Sequence, residues 1–248
     1  MKTNIINKLK EIEAGEGIRM LFACESGSRG WGFPSIDSDY DVRFIYVRKT
    51  EDYTRLFPLA TEMRFPLVDD LDIGGWDLRK ILTLLYKSNV SPFEWIQSPI
   101  VYYEVDGFKT SFIAMIKNYF DRRRHAHHYL GIVRSKVEDL RRENMKLKSL
   151  FYILRSLLAA KWCVSRSAYA PMTLAELGVL LPASVKTEVA ELRQLKGSVD
   201  ERFTYSCSVS MRSYMETQLT KLEDQVKRLP VSASDKEGLE HYFRTLSK

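Results

Sequence analysis

Residues 22–47 read FACESGSRGWGFPSIDSDYDVRFIYV. The stretch opens on the end of an apolar segment, Met20–Cys24, and closes on a branched and aromatic one, Val42–Val47. Both patterns are those of strands. Gly27-Ser28 follows the first. Glycine there lets the backbone turn tightly and bring N–H groups close to an anion, and the serine hydroxyl adds a donor. A helix or turn starting at this point would offer its free N–H groups to phosphate. Gly30 and Gly32 keep the following loop open, and Arg29 can reach either a phosphate or the core. Taken alone, a Gly-Ser pair after a strand is equally well a plain turn.

Ten residues separate Ser28 from Asp39. Asp39-Tyr40-Asp41 then enters the second strand, where alternate side chains share a face, so Asp39 and Asp41 are expected to project together. Two carboxylates on one face repel unless a cation sits between them. Two Mg²⁺ ions shared with substrate phosphates would remove that cost. An isolated pair of this kind could be solvated; the Gly-Ser turn just before it supplies a cradle for a triphosphate beside the carboxylates. Asp37 reads as a loop cap.

Outward from this segment, Leu67–Ile73 and Ile100–Tyr103 are two further candidate strands. Asp72, flanked by Leu71 and Ile73, has the apolar–acid–apolar form of an inward carboxylate, whereas Asp69 and Asp70 suit a turn. Asp72 could serve as a general base or as a metal ligand. Gly74-Gly75 is expected to end that strand early. Leu78, Ile81, Leu82 and Leu85 mark an amphipathic helix over 77–88. Ser91-Pro92 reads as a cap and first-turn proline opening a short helix through Trp95.

From Gly107 the pattern becomes helical: 108–120, 122–142, 145–165, 173–179, 184–196, 208–228 and 235–246, with Phe203–Cys207 a loop. Thr173-Leu-Ala-Glu176 has the form of a capping box. Strands followed by helices predict an α+β protein of two packed units, 1–106 and 107–248.

The chain has 248 residues, 45% hydrophobic and 28% charged, which suits a folded protein and argues against disorder. No apolar run approaches the ~20 residues of a membrane-spanning helix, and the N-terminus carries no apolar signal segment. Cys24, Cys163 and Cys207 are scattered, which favours buried thiols in a reducing cytoplasm over a disulfide or zinc framework.

Net charge is +6, and residues 121–148 concentrate it: nine Lys or Arg against four acids. Such a field attracts polyanions, either nucleic acid or a triphosphate, although a solvated helix face would look the same. Tyr119, Phe120 and Tyr129 interleave with this cluster, which suits either stacking on RNA bases or core packing. His125, His127 and His128 are dense enough to suggest a metal site, but they lack a Cys or second carboxylate motif to complete one. A solvated or phosphate-facing basic helix end is the simpler reading. Arg155, in an apolar helix with Lys148 two turns and Tyr152 one turn earlier, would meet either a carboxylate or a triphosphate. Arg79 and Lys80 suit a phosphate contact or plain surface.

Taken together, GSRGWG at 27–32, DSDYDVRFIY at 37–46, DIGGWDLRK at 72–80, SNVSPFEWI at 88–96 and FYILRSLLA at 151–159 resemble the DNA polymerase β-like nucleotidyltransferase superfamily. Within it, the chain is most similar to the bacterial RNA-repair-associated family of nucleotidyltransferases, over roughly residues 20–175. The resemblance implies a small mixed sheet with helices followed by a helical domain, with an NTP bound in the cleft between them. It implies that Gly27 and Ser28 meet the β- and γ-phosphates. Asp39, Asp41 and Asp72 would bind the metal, and Arg29, Lys148 and Arg155 are candidate phosphate contacts. The implied reaction is Mg²⁺-dependent transfer of NMP from an NTP to a hydroxyl, an RNA end or tRNA, with release of pyrophosphate. Transfer to a small molecule or protein, or a non-catalytic nucleotide- or RNA-binding module on the same fold, are the alternatives.

Overall fold

A computed structural model describes residues 1–230, 232 and 235–247. The chain begins with α1 (Lys2–Glu16), β1 (Arg19–Glu25), α2 (Gly27–Trp31), β2 (Tyr40–Val47), β3 (Glu62–Arg64) and β4 (Leu71–Asp77). It continues through α3 (Leu78–Tyr86), α4 (Val90–Gln97), β5 (Val101–Glu104), α5 (Phe108–Ile116), α6 (Arg122–Arg134) and α7 (Val137–Arg141). Then come β6 (Asn144–Lys146), α8 (Leu147–Arg166), α9 (Leu174–Leu177), α10 (Ala183–Lys196), β7 (Thr204–Ser206), α11 (Val209–Lys227) and α12 (Glu237–Leu246). The protein is α+β, with a mixed five-stranded sheet. Two compact units divide it: one is Met1–Gly30, Asp39–Tyr119 and Ala233–Lys248, the other Trp31–Ser38 and Phe120–Ser232.

The first unit holds the sheet, in the order β3-β4-β2-β1-β5. β1 runs antiparallel to β2 and β5, and β4 runs parallel to β2. The continuous apolar sequence of β1 matches its burial along nearly its whole length. Ile5, Leu9 and Ile12 of α1 join Met20, Ala23, Val42, Phe44 and Ile73 in one core cluster, and Phe22 stacks on Phe108 of α5. The helix α1 has a weak sequence signal, because charged residues surround its i, i+4, i+7 apolar positions.

The strand expected over 67–73 begins only at Leu71. Asp69 and Asp70 both take the left-handed conformation (φ 51° and 61°), making a two-residue turn closed by Leu71 N–H donating to Val68 O at 2.9 Å. Aspartate tolerates that region because its short side chain can bond locally. The strand also runs through Gly74-Gly75 rather than ending there. Gly75 pairs with Phe44, and a Cβ at Gly75 would lie 2.2 Å from the Phe44 ring. Glycine is therefore required by space, not by a turn. Gly75→Ala is expected to lower the unfolding free energy by about 1–3 kcal/mol through overpacking, read as a drop in urea midpoint at unchanged slope.

The cap of α4 is Asn89, whose side chain accepts from Ser91 N–H; Ser91 and Pro92 lie within the first turn. Asp77 caps α3 in the same way, through Arg79 N–H.

The second unit is helical around α8, which buries Leu147, Leu150, Phe151, Leu154, Leu157 and Leu158. The basic stretch expected as one helix over 122–142 is two, α6 and α7, and Thr204–Ser206 forms a short strand with β6 instead of a loop. Thr173 caps α9, accepting from Glu176 N–H as the capping-box pattern predicts; the Glu176 carboxylate accepts from the Thr173 hydroxyl. The segment Trp31–Ser38 is seated within this unit. Phe33 stacks on Phe151 at 5.2 Å, Trp31 meets Tyr152 edge-on, and Arg193 Nε donates to Gly32 O. Asp37 accepts from Glu201 N–H, so it ties its loop to a distant segment of the chain. All three cysteines are buried and unpaired. No helix among the described residues is long and apolar enough to cross a membrane.

Candidate active site

Parallel pairing of β2 with β4 sets Asp41 directly opposite Asp72. Because pleated neighbours in register point the same way, the two carboxylates face one region above the sheet. Arg43, two residues beyond Asp41, lies on that same face. Its Nη2 donates to Asp41 Oδ1 at 3.1 Å and to Asp72 Oδ2 at 2.6 Å, and its Nη1 donates to Asp72 O at 2.7 Å and Val42 O at 3.0 Å. One guanidinium thus spans both acids.

Gly27 closes the site from the β1 side. Its φ is +54°, and a Cβ there would fall 1.9 Å from Asp41 Oδ2. The glycine expected to let the backbone approach an anion does so, and the anion in this structure is the Asp41 carboxylate. Ser26 N–H donates to Asp41 O at 2.8 Å, tying the turn to the strand. Ser28 is buried at the second position of α2.

Asp39 is exposed and immediately precedes β2. Arg29 holds this entry: its Nε donates to Asp39 O at 3.2 Å and its guanidinium lies 3.9 Å over the Tyr40 ring. Among the described residues, no three His, Cys, Asp or Glu side chains gather closely enough to enclose a metal ion by themselves. The structure therefore brings together Gly27, Asp41 and Asp72, with Asp39 beside them.

Burial pushes the Asp41 carboxyl above its usual range; the Arg43 guanidinium pulls it back, while the charges of Asp72 and Asp39 add to the rise. Burial therefore makes the charge at Asp41 costly unless a counter-charge such as Arg43 stands beside it. Two facing carboxylates beside the Gly27 turn are a donor set suited to Mg²⁺, which takes one or two carboxylates and completes its shell with water and phosphate oxygens.

Two supporting residues escape a reading of the sequence. Glu25, fully buried at the end of β1, accepts from Asp41 N–H at 2.8 Å and from the Tyr102 hydroxyl of β5. Burial raises its carboxyl, and the hydrogen bonds from Tyr102 and Asp41 N–H oppose that rise. The available signal is an acid closing the apolar run Leu21–Cys24. Arg43 is the other; a basic residue inside VRFIYV is visible, but its partners are not.

Lys148 and Arg155 belong to the second unit. Lys148 Nζ donates to Glu201 Oε2 at 2.5 Å. Arg155 is buried, donates from Nε to Met172 O at 3.0 Å and lies 4.5 Å over the Trp31 ring. Arg123, Arg124, His127 and His128 line an open depression on α6.

His125, by contrast, is fully buried and meets Phe120 edge-on. Burial, with His128 nearby, lowers its pKa to about 3. The unfolded chain takes up a proton near pH 6.5 that the folded chain refuses. The stability tied to this residue is therefore complete above pH 6.5 and is lost as pH falls toward 3. Between pH 7 and 5 the loss is expected to be about 2 kcal/mol. Urea titrations across that range should show His125→Leu with a correspondingly flatter pH dependence than wild type.

Comparison with known proteins gives three results. The family model described as the RNA repair pathway DNA polymerase beta family matches residues 1–245. The uncharacterized protein YcgL of Bacillus subtilis (strain 168) is 37% identical over 238 residues, covering 95% of this chain and 92% of that protein. A crystal structure of a nucleotidyltransferase-like protein from Exiguobacterium sibiricum 255-15 aligns over 90% of this chain and 74% of its own. It does so at 12% identity and a TM-score of 0.31, too distant to carry weight.

Proposed function

Because the chain belongs to the RNA repair pathway DNA polymerase beta family, we propose that it is a divalent-cation-dependent nucleotidyltransferase, moving NMP from an NTP to a hydroxyl acceptor and releasing pyrophosphate. The observation that carries this reading is the pairing of Asp41 with Asp72 on one face of the sheet, beside Gly27. Family resemblance adds Asp39 to the metal ligands and the Gly27-Ser28 turn to the phosphate contacts.

In this reading Asp41 and Asp72 would hold the cation, with Asp39 as the third ligand that the family resemblance adds. The bound cation supplies Lewis-acid stabilisation of charge on the transferring phosphoryl group and the leaving pyrophosphate. Asp72, with its side chain 46% exposed, takes the proton of the incoming hydroxyl. Glu25 and Tyr102 fix the backbone at Asp41, so the carboxylate is already aimed before substrate arrives. Arg29 steadies the loop entering β2. Most of the rate enhancement is then positioning and electrostatics.

The acceptor we favour is RNA. The supporting observation is the cationic depression of Arg123, Arg124, His127 and His128 within the basic stretch 121–148. Contacts of this type neutralise phosphates and make affinity fall with salt.

The test is incubation of the protein with each labelled NTP, Mg²⁺ and total RNA. Label in RNA supports the reading. Label on the protein or on a small molecule moves the acceptor to that class. Mg²⁺-dependent NTP binding with no transfer at all would leave a nucleotide-binding module.

A further inference from the structure

The carboxylate pair is already bridged by a positive group belonging to the chain. Arg43 Nη2 lies within hydrogen-bond distance of one oxygen from each acid, 3.1 Å from Asp41 Oδ1 and 2.6 Å from Asp72 Oδ2. That nitrogen stands where a single cation would satisfy both. The Arg43 and Asp41 side chains are only 22% and 29% exposed, so this half of the bridge is partly desolvated and Asp41 left without a counter-charge would be costly. The other terminal nitrogen, Nη1, is held separately by the backbone carbonyls of Asp72 and Val42. The guanidinium can therefore release the carboxylates while staying anchored to the sheet, which a lysine ammonium cannot do.

Resting on the nucleotidyltransferase reading, we infer that Arg43 is an internal counter-ion that competes with free divalent cation for Asp41 and Asp72 and yields when the cation arrives with a nucleotide. A free ion must displace two charge-assisted hydrogen bonds and gains only the two carboxylates. An ion carried on a polyphosphate arrives with further oxygen ligands and with binding energy from the rest of the nucleotide. Metal loading is thereby coupled to substrate binding, and Arg43 is a positioning residue for the acids.

The experiment is Mn²⁺ binding to the full chain, measured by electron paramagnetic resonance of the free ion. Wild type, Arg43→Gln and Arg43→Lys are compared, each with and without a non-hydrolysable NTP analogue. In the absence of nucleotide, Arg43→Gln is expected to bind Mn²⁺ at least tenfold tighter than wild type. Arg43→Lys keeps the charge, but its single nitrogen cannot hold the backbone carbonyls and both acids at once, so it competes less well and is expected to bind at least threefold tighter. It decides the question should the glutamine variant fail to fold. The analogue should tighten Mn²⁺ binding at least tenfold in wild type and by a smaller factor in the variants.

Equal or weaker nucleotide-free binding by the folded variants overturns the counter-ion role. If wild type still gains Mn²⁺ affinity from the analogue, the nucleotidyltransferase reading survives that failure. If wild type gains nothing from the analogue while the variants bind free Mn²⁺ more tightly, the reading fails and the Arg43 competition stands. No Mn²⁺ binding by any form, with or without the analogue, overturns both.

Discussion

Asp41→Asn is expected to reduce nucleotidyl transfer by at least about a thousandfold, the scale lost when a principal charge-stabilising group is removed. Asparagine keeps the shape of aspartate, so the backbone bonds from Ser26 N–H to Asp41 O and from Asp41 N–H to Glu25 remain available. What is removed is one of the two negative charges that face each other across β2 and β4. Arg43 then keeps Asp72 as its partner, and the variant should stay folded. The measurement is initial rate at saturating NTP and Mg²⁺, alongside a thermal melt. A folded variant within tenfold of the wild-type rate would remove Asp41 from the chemistry and with it the proposed reaction. Raising Mg²⁺ should not rescue the variant, because the asparagine carbonyl can still ligate a cation and what is missing is the carboxylate's negative charge, which excess metal does not restore.

Gly27→Ala is expected to have the second largest effect, for a steric reason. The added methyl carbon would stand 1.9 Å from Asp41 Oδ2 and 2.7 Å from Asp41 Cγ. No contact of that length survives, so either the turn or the carboxylate must shift. The turn resists because φ at Gly27 is +54°, a region that costs alanine roughly 1–2 kcal/mol. The carboxylate resists because Arg43 holds it and the Asp41 backbone is bonded to Glu25 and Ser26. Activity should fall by about a hundredfold, the scale of an angstrom-level misplacement. Stability should fall by about 1–3 kcal/mol, read from urea midpoints. A variant with wild-type activity would show that the turn and the carboxylate need not touch.

Both predictions draw on residues recognisable from their local order, yet their force comes from contacts that order does not disclose. Strand, Gly-Ser turn, ten-residue loop and paired acids follow one another within 26 residues. Each of these features depends on near neighbours: apolar runs make strands, glycine permits the turn, and acids at a strand entry stand out against apolar residues. Asp72 is recognisable in the same way, from its apolar flanks. Asp39 differs: β2 starts one residue later, so strand alternation does not fix where its side chain lies.

Elsewhere the chain is silent where long-range pairing decides. Nothing near Glu25 reveals that Tyr102, 77 residues away, will bond it. The counter-ion role of Arg43 depends on β4 returning parallel to β2, with Asp72 level with Asp41. The three-residue edge strand β3 carries no pattern of its own and exists through its ladder with β4. Gly74-Gly75 reads as a strand end because glycine usually breaks strands; here the Phe44 ring on the next strand fills the space over Gly75. Sequence order alone established which acids and which turn this protein has, because those signals span a few residues. The facing of Asp41 on Asp72, and the Arg43 guanidinium between them, came from folding, because strand register is set by the packing of side chains remote along the chain.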